Sequence, residues 1–298
     1  MEIRQLECFI AVAEELHFGR AAERLFISQP PLSVHIRTLE TTLGFELFVR
    51  HPGAVALTAE GAQFLAEARR MLNAVSRTRR VISLMASGSL DWLSIGFVES
   101  SGGRILPEIL QKFRRLHPGI ELQLTEMTTA EQVSAISEGQ LDIGISRDAL
   151  PHPPLAAASF RRERIVAALP IAHELASREE ISILELASEE FLFSRRDAAP
   201  RWNDRLLSIL READVTPRSS EPATQLTSIL GLVSAGLGVT LVPESAARAW
   251  GGEASFLPLV EKTAYTEIVL LWNEQTVASG VKTFLDVVLD SAGQEAQE

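Results

Sequence analysis

Gln29, Ser33, His35 and Arg37 recur through one short stretch that opens on Pro30 and Pro31. Short amides, hydroxyls and a forked guanidinium near a helix N-terminus are the groups that read base edges or anchor phosphates. Arg50 and His51, just before Pro52 and Gly53, are placed to reach the flanking backbone of a duplex. On spacing alone, a solvated polar surface accounts for these residues almost as well. Catalytic chemistry has less to stand on. The chain has no Gly-x-Ser-x-Gly elbow, no phosphate loop, no His-Glu-x-x-His and no Cys/His metal spacing. The histidines are scattered singly, and the one cysteine, Cys8, sits among core-type residues and has no internal disulfide partner. An enzyme, a metal site and a cofactor are therefore not expected.

The elements that must position the polar group follow from periodicity. Ile3, Leu6, Phe9, Ile10, Ala13 and Leu16 fall at helical spacing and predict a helix over 3–16. Arg20 to Leu25, with Ala21 and Ala22 allowing close packing, predicts a short second helix. Ser28 stands as the N-cap of a third, because proline fits a first helical turn, where amides have no internal partner. Leu32, Ile36, Leu39 and Leu43 give that helix one buried stripe, and Gly44 supplies its stop. Two short helices joined by a tight turn have the geometry of a helix-turn-helix. Phe45 to Leu57 then alternates around the 51–54 turn as a small β-hairpin, or wing.

From Thr58, an N-cap, to about Ala86 runs one long helical pattern without proline. Leu65, Leu72 and Arg79 repeat every seventh residue, as do Ala68, Val75 and Ile82, which reads as a coiled-coil seam. A long surface helix packed on its own domain is the alternative. Arg69, Arg70, Arg77, Arg79 and Arg80 make the segment basic, and Ser87-Gly88-Ser89 reads as a hinge. The charge is divided. Residues 1–90 carry 10 Lys/Arg against 9 Asp/Glu, and residues 91–298 carry 18 against 30, so the net −11 belongs to the C-terminal part. An acidic C-terminal part repels nucleic acid and leaves contact to the other end. No run is long and apolar enough to span a bilayer, and MEIRQLECFI lacks the pattern of a signal peptide, so the expected compartment is the cytoplasm.

Beyond the hinge, strands and helices alternate. Leu93–Val98, Ile120–Glu126 and Leu141–Ser146 read as strands, with a helix running to His117 before Pro118-Gly119. Thr129 with Gln132 reads as a capping box opening another helix. A second unit starts near Arg164, with strands at 165–169, 190–194 and 238–242. Its helices run over 200–213 and 224–235. A final strand at 265–272 and a helix over 279–290 close the chain. Strands alternating with helices predict a parallel α/β sheet.

The stretch from Arg4 to Gly61 resembles the DNA-binding domain of LysR-type transcriptional regulators. The marks are Phe9, Ala13, Ala21, Ala22, Leu25, Ser28, Gln29, Pro30, Leu32, Ser33, Ile36, Leu39, Glu40, Leu43, Gly44, Leu47, Phe48, Arg50, Leu57, Thr58 and Gly61. Val34 departs from the pattern, since the family often has arginine there; His35 or Arg37 takes over part of that role. The C-terminal part is similar to the effector domain of the same family, a two-lobed, periplasmic-binding-protein-like α/β fold. Its marks are Leu106-Pro107, Phe113, His117-Pro118, Gly139, Leu141, Asp142, Gly231, Gly236, Gly238 and the run from Leu241 to Pro243. The wording is nearest to regulators of aromatic-compound degradation, those sensing muconate or benzoate.

The resemblance implies an all-α winged helix-turn-helix over 1–58, a linker and dimerisation helix with hinge over 59–88, and an effector domain over 89–298. In that domain, lobe I comprises 89–163 and 265–298, and lobe II comprises 164–264. It implies a double-stranded operator contacted through Arg20, Gln29, Pro30, Pro31, Ser33, His35, Arg37, Arg50 and His51. It further implies a homodimer through the linker helix, a dimer of dimers, and RNA polymerase as a further partner, with no membrane. In open α/β sheets ligands lie beyond the carboxyl ends of strands, where helix amides point at them. Ser100, Ser101, Thr128, Thr129 and Pro200-Arg201-Trp202 occupy such positions, Arg147 is an anion partner, and Trp202 and Leu226 suit an aromatic or unsaturated body. Each also has a plain structural use as a cap or core residue; convergence from two lobes is what points to a ligand. An aromatic carboxylate or its ring-cleavage product is the expected effector, a carboxylate being what hydroxyls and free amides suit.

Glu99 disagrees with that expectation. Regulators of aromatic carboxylates often have serine there, and a carboxylate side chain repels an anion. Either Glu99 turns away, or pairs with an arginine, or the ligand is neutral, cationic or amine-bearing. A solute-binding protein would explain residues 91–298 but not the N-terminal unit.

Overall fold

The computed structural model describes residues 1–51, 54–87, 91–276 and 279–295. The wing tip Pro52-Gly53 and the hinge residues Gly88 and Ser89 lie outside them, as do the side chains of Arg50, His51, Arg77, Arg79 and Arg80. The chain divides into two compact units, Met1–Gly88 with Glu138–Gln140, and Ser89–Ser137 with Leu141–Glu298.

The first unit contains α1 (Ile3–Glu15), α2 (Phe18–Arg24), α3 (Gln29–Leu43), β1 (Phe48–His51), β2 (Ala54–Leu57) and α4 (Ala59–Ser87). α1 ends where Leu16 turns left-handed at φ 47°. α2 begins at Phe18, earlier than the expected Arg20, because the His17 ring accepts a hydrogen bond from the Arg20 amide at 3.1 Å and caps the helix. Ser28 does occupy the N-cap of α3, but its side chain makes no capping bond. The reason lies in the sequence. A capping oxygen accepts from the second or third helical amide, and these positions are Pro30 and Pro31, which have none. Gly44 closes α3 at φ 82°, where a side chain would be strained.

The core of this unit joins Phe9 and Val12 of α1, Ala21 of α2, Leu32, Ile36 and Leu39 of α3, and Leu47 and Phe48 of the wing. Cys8 is buried here, and burial pushes its thiol up, so it packs as a small apolar group. The two-stranded wing pairs Phe48 with Leu57. Its Leu47 amide donates to the Glu40 carboxylate at 2.9 Å, tying the wing to α3.

α4 corrects the seam expectation for its first half. Ala68 is fully buried in this unit's own core, with Leu65 and Leu72 packed against it. The first half of the stripe therefore serves its own domain. Ile82, 61% exposed, remains on the outer part. Thr58 holds the start of α4: its hydroxyl donates to the Glu46 carbonyl at 2.8 Å and accepts from the Gly61 amide at 2.9 Å. A Cβ at Gly61 would stand 2.2 Å from the Leu47 carbonyl oxygen, so only glycine lets the helix approach this closely.

The second unit runs β3 (Asp91–Phe97), α5 (Glu99–Gly102), α6 (Ile105–Leu116), β4 (Ile120–Glu126), α7 (Thr129–Ser137), β5 (Ile143–Arg147) and β6 (Leu155–Pro170). It continues with β7 (Glu190–Ser194), α8 (Pro200–Glu212), β8 (Arg218–Ala223), α9 (Leu226–Ser234), β9 (Thr240–Pro243) and α10 (Glu244–Ala249). β10 (Ala254–Pro258), β11 (Tyr265–Asn273) and α11 (Ser279–Glu295) complete it. The main sheet has the order β10-β6-β11-β5-β3-β4, with β9 also on β6; β7 and β8 form a separate parallel pair. The expected parallel sheet is thus mixed: β3 is parallel to β4 and β5, whereas β11 runs antiparallel to β5 and β6.

β6 explains the two-part build. Its Leu155–Arg164 segment pairs with β11, and from Ile165 onward it pairs with β9 and β10. The first segment borders a core of Ile95, Phe113, Ile145 and Phe284; the second carries Ile165 and Leu169 into a core with Phe191, Leu206, Ile209 and Leu241. Two hydrophobic cores on one strand leave a space between them. β8, α10 and β10 fall in stretches without clear periodicity; β8 (RSSEPA) alternates poorly and, among the described residues, pairs only with β7.

The caps make a sharp pair. Thr58→Ala should cost the first turn of α4 about 1 kcal/mol, while Ser28→Ala should change α3 by no more than about 0.5 kcal/mol. Amide exchange in the full chain reads both; equal losses at the two helices would contradict the capping assignment.

Candidate nucleic-acid surface and ligand cleft

α3 turns Leu32, Ile36 and Leu39 inward, which leaves Gln29, Pro30, Pro31 and Arg37 exposed and Ser33 and His35 half-buried. Val34 lies on the same outer face, 59% exposed. Arg20 is exposed but engaged, its guanidinium donating to the Glu15 carboxylate at 3.2 Å and to that residue's carbonyl. The helix therefore presents amide, hydroxyl, imidazole and guanidinium groups side by side, the donor and acceptor set that base edges and phosphates match.

In the second unit a cavity of about 270 Å³ opens between the two hydrophobic cores. It sits where the carboxyl ends of β3, β4, β5 and β7 meet the starts of α8 and α9, and Val98, Met127, Arg147, Ser194, Trp202 and Leu226 line it. Of the expected residues, Glu99, Ser100, Thr128, Thr129, Arg147, Arg201, Trp202 and Leu226 come together on its wall. Ser101 does not: it is fully buried, and its hydroxyl donates to the Val98 carbonyl at 2.8 Å. Pro200, the first residue of α8, is not among the lining, while Ala199 and Arg201 beside it line the cavity.

The floor is ionic. Arg147, 4% exposed, donates from Nη1 to the Glu163 carboxylate, itself 9% exposed, and from Nε to the Ser100 hydroxyl at 3.2 Å. Glu163 also accepts from the Ser245 amide at the start of α10, at 3.0 Å. Arg147 was expected as an anion partner for a ligand; the protein's own Glu163 already neutralises it. Its Nη2 is nevertheless buried without a hydrogen-bond partner, and its guanidinium lies 6.0 Å from the centre of the Trp202 ring. The neighbouring Asp148 is pushed up by burial, against the opposing pull of the Thr266 hydroxyl, the Glu267 amide and the nearby Arg147 and Arg205.

The capping box is one residue earlier than expected. The Thr128 amide and hydroxyl both donate to Glu131, at 2.7 and 2.9 Å, so Thr128 caps α7. Thr129 is left to meet the Ser146 hydroxyl at 2.6 Å, and Gln132 turns inward to donate to the Met127 carbonyl at 3.0 Å.

Among the described residues Glu99 makes no ion pair with an arginine, and it is turned toward the cavity mouth. Its carboxylate crosses the cavity mouth and accepts from the Leu226 amide at 2.7 Å and the Thr227 amide at 3.0 Å, the first two amides of α9. An anion at a helix N-terminus satisfies orphan amides and the positive end of the helix dipole. Val98, Glu126, Met127, Glu131, Ser194, Ala198, Ala199, Thr224, Gln225 and Pro243 also line the cavity, beyond the residues the sequence suggests. The strand-end rule reaches Val98, Glu126, Met127, Ser194 and Pro243 once strand ends are known; nothing in the sequence marks Ala198.

The model for the bacterial regulatory helix-turn-helix protein, lysR family, matches residues 3–62, and that for the LysR substrate binding domain matches residues 86–293. The chain is 39% identical over 283 residues to the uncharacterized HTH-type transcriptional regulator YnfL of Escherichia coli K12, covering 94% of this chain and 95% of that one. It is similar to full-length CbnR complexed with its target DNA, with a TM-score of 0.77 at 29% identity over 98% of this chain and all of the other. It is also similar to the BenM effector binding domain with its effector benzoate, with a TM-score of 0.63 at 25% identity over 70% of this chain and 96% of that one.

The floor pair gives a direct test. Glu163→Gln strands a buried guanidinium and should cost about 3 kcal/mol or more, seen as a drop in thermal midpoint. Adding Arg147→Met to that variant should restore much of the loss. A double variant as unstable as the sum of its singles would show that the two charges do not depend on each other.

Proposed function

The chain belongs to the LysR family of bacterial transcriptional regulators, and on that premise we propose that its operator binding and bending are modulated by a small-molecule effector held in the cavity of the second unit. The division we propose is a winged helix-turn-helix over 1–58, a linker over 59–88 and an effector domain over 89–298, with 89–163 and 265–298 as lobe I and 164–264 as lobe II. The observation that carries the reading is the meeting of strand ends, helix starts and one large ring on a cavity of ligand size, in a chain that also exposes a polar α3 face. A solute-binding protein has no use for that face.

Arg20, Gln29, Pro30, Pro31, Ser33, His35 and Arg37 form the proposed duplex contact, with Arg50 and His51 at the wing. Pro30 and Pro31 shape the helix start, and Arg20, held by Glu15, contributes charge near the phosphates. Dimerisation uses the outer part of α4 around Ile82, since its inner stripe serves the first unit, and two dimers make the tetramer. Such a regulator acts in the cytoplasm, where it meets RNA polymerase; no described helix is long and apolar enough to cross a membrane. The effector body is aromatic or unsaturated, lying against Trp202 and Leu226. For its head, the sequence expectation is a carboxylate, from an aromatic acid or its ring-cleavage product, but Glu99 already holds the α9 amides such a group would take. Glu99, Ser100, Thr128, Thr129, Arg147 and Arg201 surround that head; Ser101 and Pro200 support the wall from behind.

Alanine at Gln29, Ser33 or Arg37 tests the DNA-binding face on an operator selected from random duplexes. Loss of a base contact should cost roughly 1–3 kcal/mol and relax specificity, and loss of a phosphate contact should weaken every sequence and flatten the salt dependence. Anisotropy at fixed salt that shows wild-type binding for all three would remove α3 from the interface.

A further inference from the structure

Glu99 stands just past the carboxyl end of β3 and grips the first two amides of α9, a helix whose Ile229, Leu230 and Val233 pack with Val166 and Ala168 of the second β6 segment. Its two oxygens thus take the donors that a ligand carboxylate entering this mouth would use. A second donor waits on the same wall: the Arg147 guanidinium, 4% exposed, has its Nη2 buried without a partner. The remaining charge on the wall is acidic. Glu99, Glu126 and Glu131 line the cavity against Arg147 and Arg201, and Arg147 is already balanced by Glu163. A free anion would have to displace Glu99 from two charge-assisted hydrogen bonds and then sit beside the displaced carboxylate, where like charges repel.

We infer that Glu99 is a tethered carboxylate filling the anion subsite of the cleft, so that the effector carries a cationic or hydrogen-bond-donating head instead of a carboxylate. This rests on the proposed placement of the effector in the cleft. The ring or unsaturated body keeps its place against Trp202 and Leu226. The head then faces carboxylates, with Glu99 oxygen lone pairs not used by α9 among its acceptors, while the unpartnered Arg147 Nη2 is left to an acceptor elsewhere on the effector. In this arrangement Glu99 has two effects. It joins the two halves of the unit before any ligand arrives, and it sets the sign of charge that the mouth accepts.

Calorimetry on the full chain tests this with two probes that share a ring and differ in head charge, benzoate and benzylamine. The wild type should bind benzylamine at least tenfold tighter than benzoate. Glu99→Ser frees the α9 amides and should reverse the order, tightening benzoate at least tenfold and weakening benzylamine. Glu99→Gln keeps the side-chain volume and removes the charge; it should narrow the gap between the probes, and it gives the readout if Glu99→Ser fails to fold. Benzoate binding equally to wild type and both variants, or binding none of them, overturns the inference. Trp202→Ala separates this result from the cleft assignment. If it abolishes benzylamine binding while the Glu99 variants leave both probes unchanged, the cleft stands and the tethered carboxylate falls. If it leaves benzylamine binding intact, the ligand lies elsewhere and both fall.

Discussion

A guanidinium buried as deeply as Arg147 needs a counter-charge held beside it, and much of the second unit is arranged around that requirement. Glu163 supplies the charge from β6, close to where that strand leaves β11 for β9 and β10. The same carboxylate accepts from the Ser245 amide in the first turn of α10, and Arg147 reaches Ser100 in α5. Four elements from both halves thus converge on one ion pair. Moving any of them would expose or strand a charge, so the floor of the cavity is fixed while its mouth is free to be specialised. The indole of Trp202 lies beside the guanidinium and adds an apolar wall to an ionic base.

The mouth is specialised by Glu99. A helix N-terminus facing a cavity ordinarily invites an anion from solution, but here the protein provides its own. Because that carboxylate comes from the far side of the cavity, the proposed charge selectivity and the join between the two halves rest on the same two hydrogen bonds. A ligand that competes for the α9 amides would open this join; one that binds Glu99 would reinforce it. Coupling of this kind gives an effector differential affinity for two arrangements of the unit, which is what a regulatory ligand needs.

Much of the fold was legible in local chemistry. Pro30-Pro31 and Gly44 bracket α3 within the chain, and the strand 120–126 and the strand 190–194 stand at the expected positions. Ser28 takes the expected N-cap position, although two prolines stand where the amides for its side chain should be. The differences from expectation are also local and have physical causes. Thr128 and Thr129 are adjacent hydroxyls, and only Glu131, a better acceptor than Gln132, decides between them. The α4 stripe was read as one seam because periodicity cannot say which partner covers it; Ala68 goes to its own core while Ile82 does not. For the cleft, the residues at strand ends could be named from sequence, whereas Ser101 is buried behind the wall and Pro200 is not among its lining. Glu99 was visible as a mismatch of charge, yet its partners lie 127 and 128 residues along the chain, beyond any local rule. That contact exists only because the long β6 strand brings two cores to one cavity.

The central claim is that occupancy of this cavity changes how the regulator shapes DNA. It is tested most directly by energy transfer across an end-labelled operator duplex bound to the full chain, titrated with a ligand whose dissociation constant has been measured by calorimetry. The account predicts a change in bend angle whose half-saturation coincides with that constant. A ligand that saturates the cavity while bend angle and operator affinity both stay unchanged would contradict it.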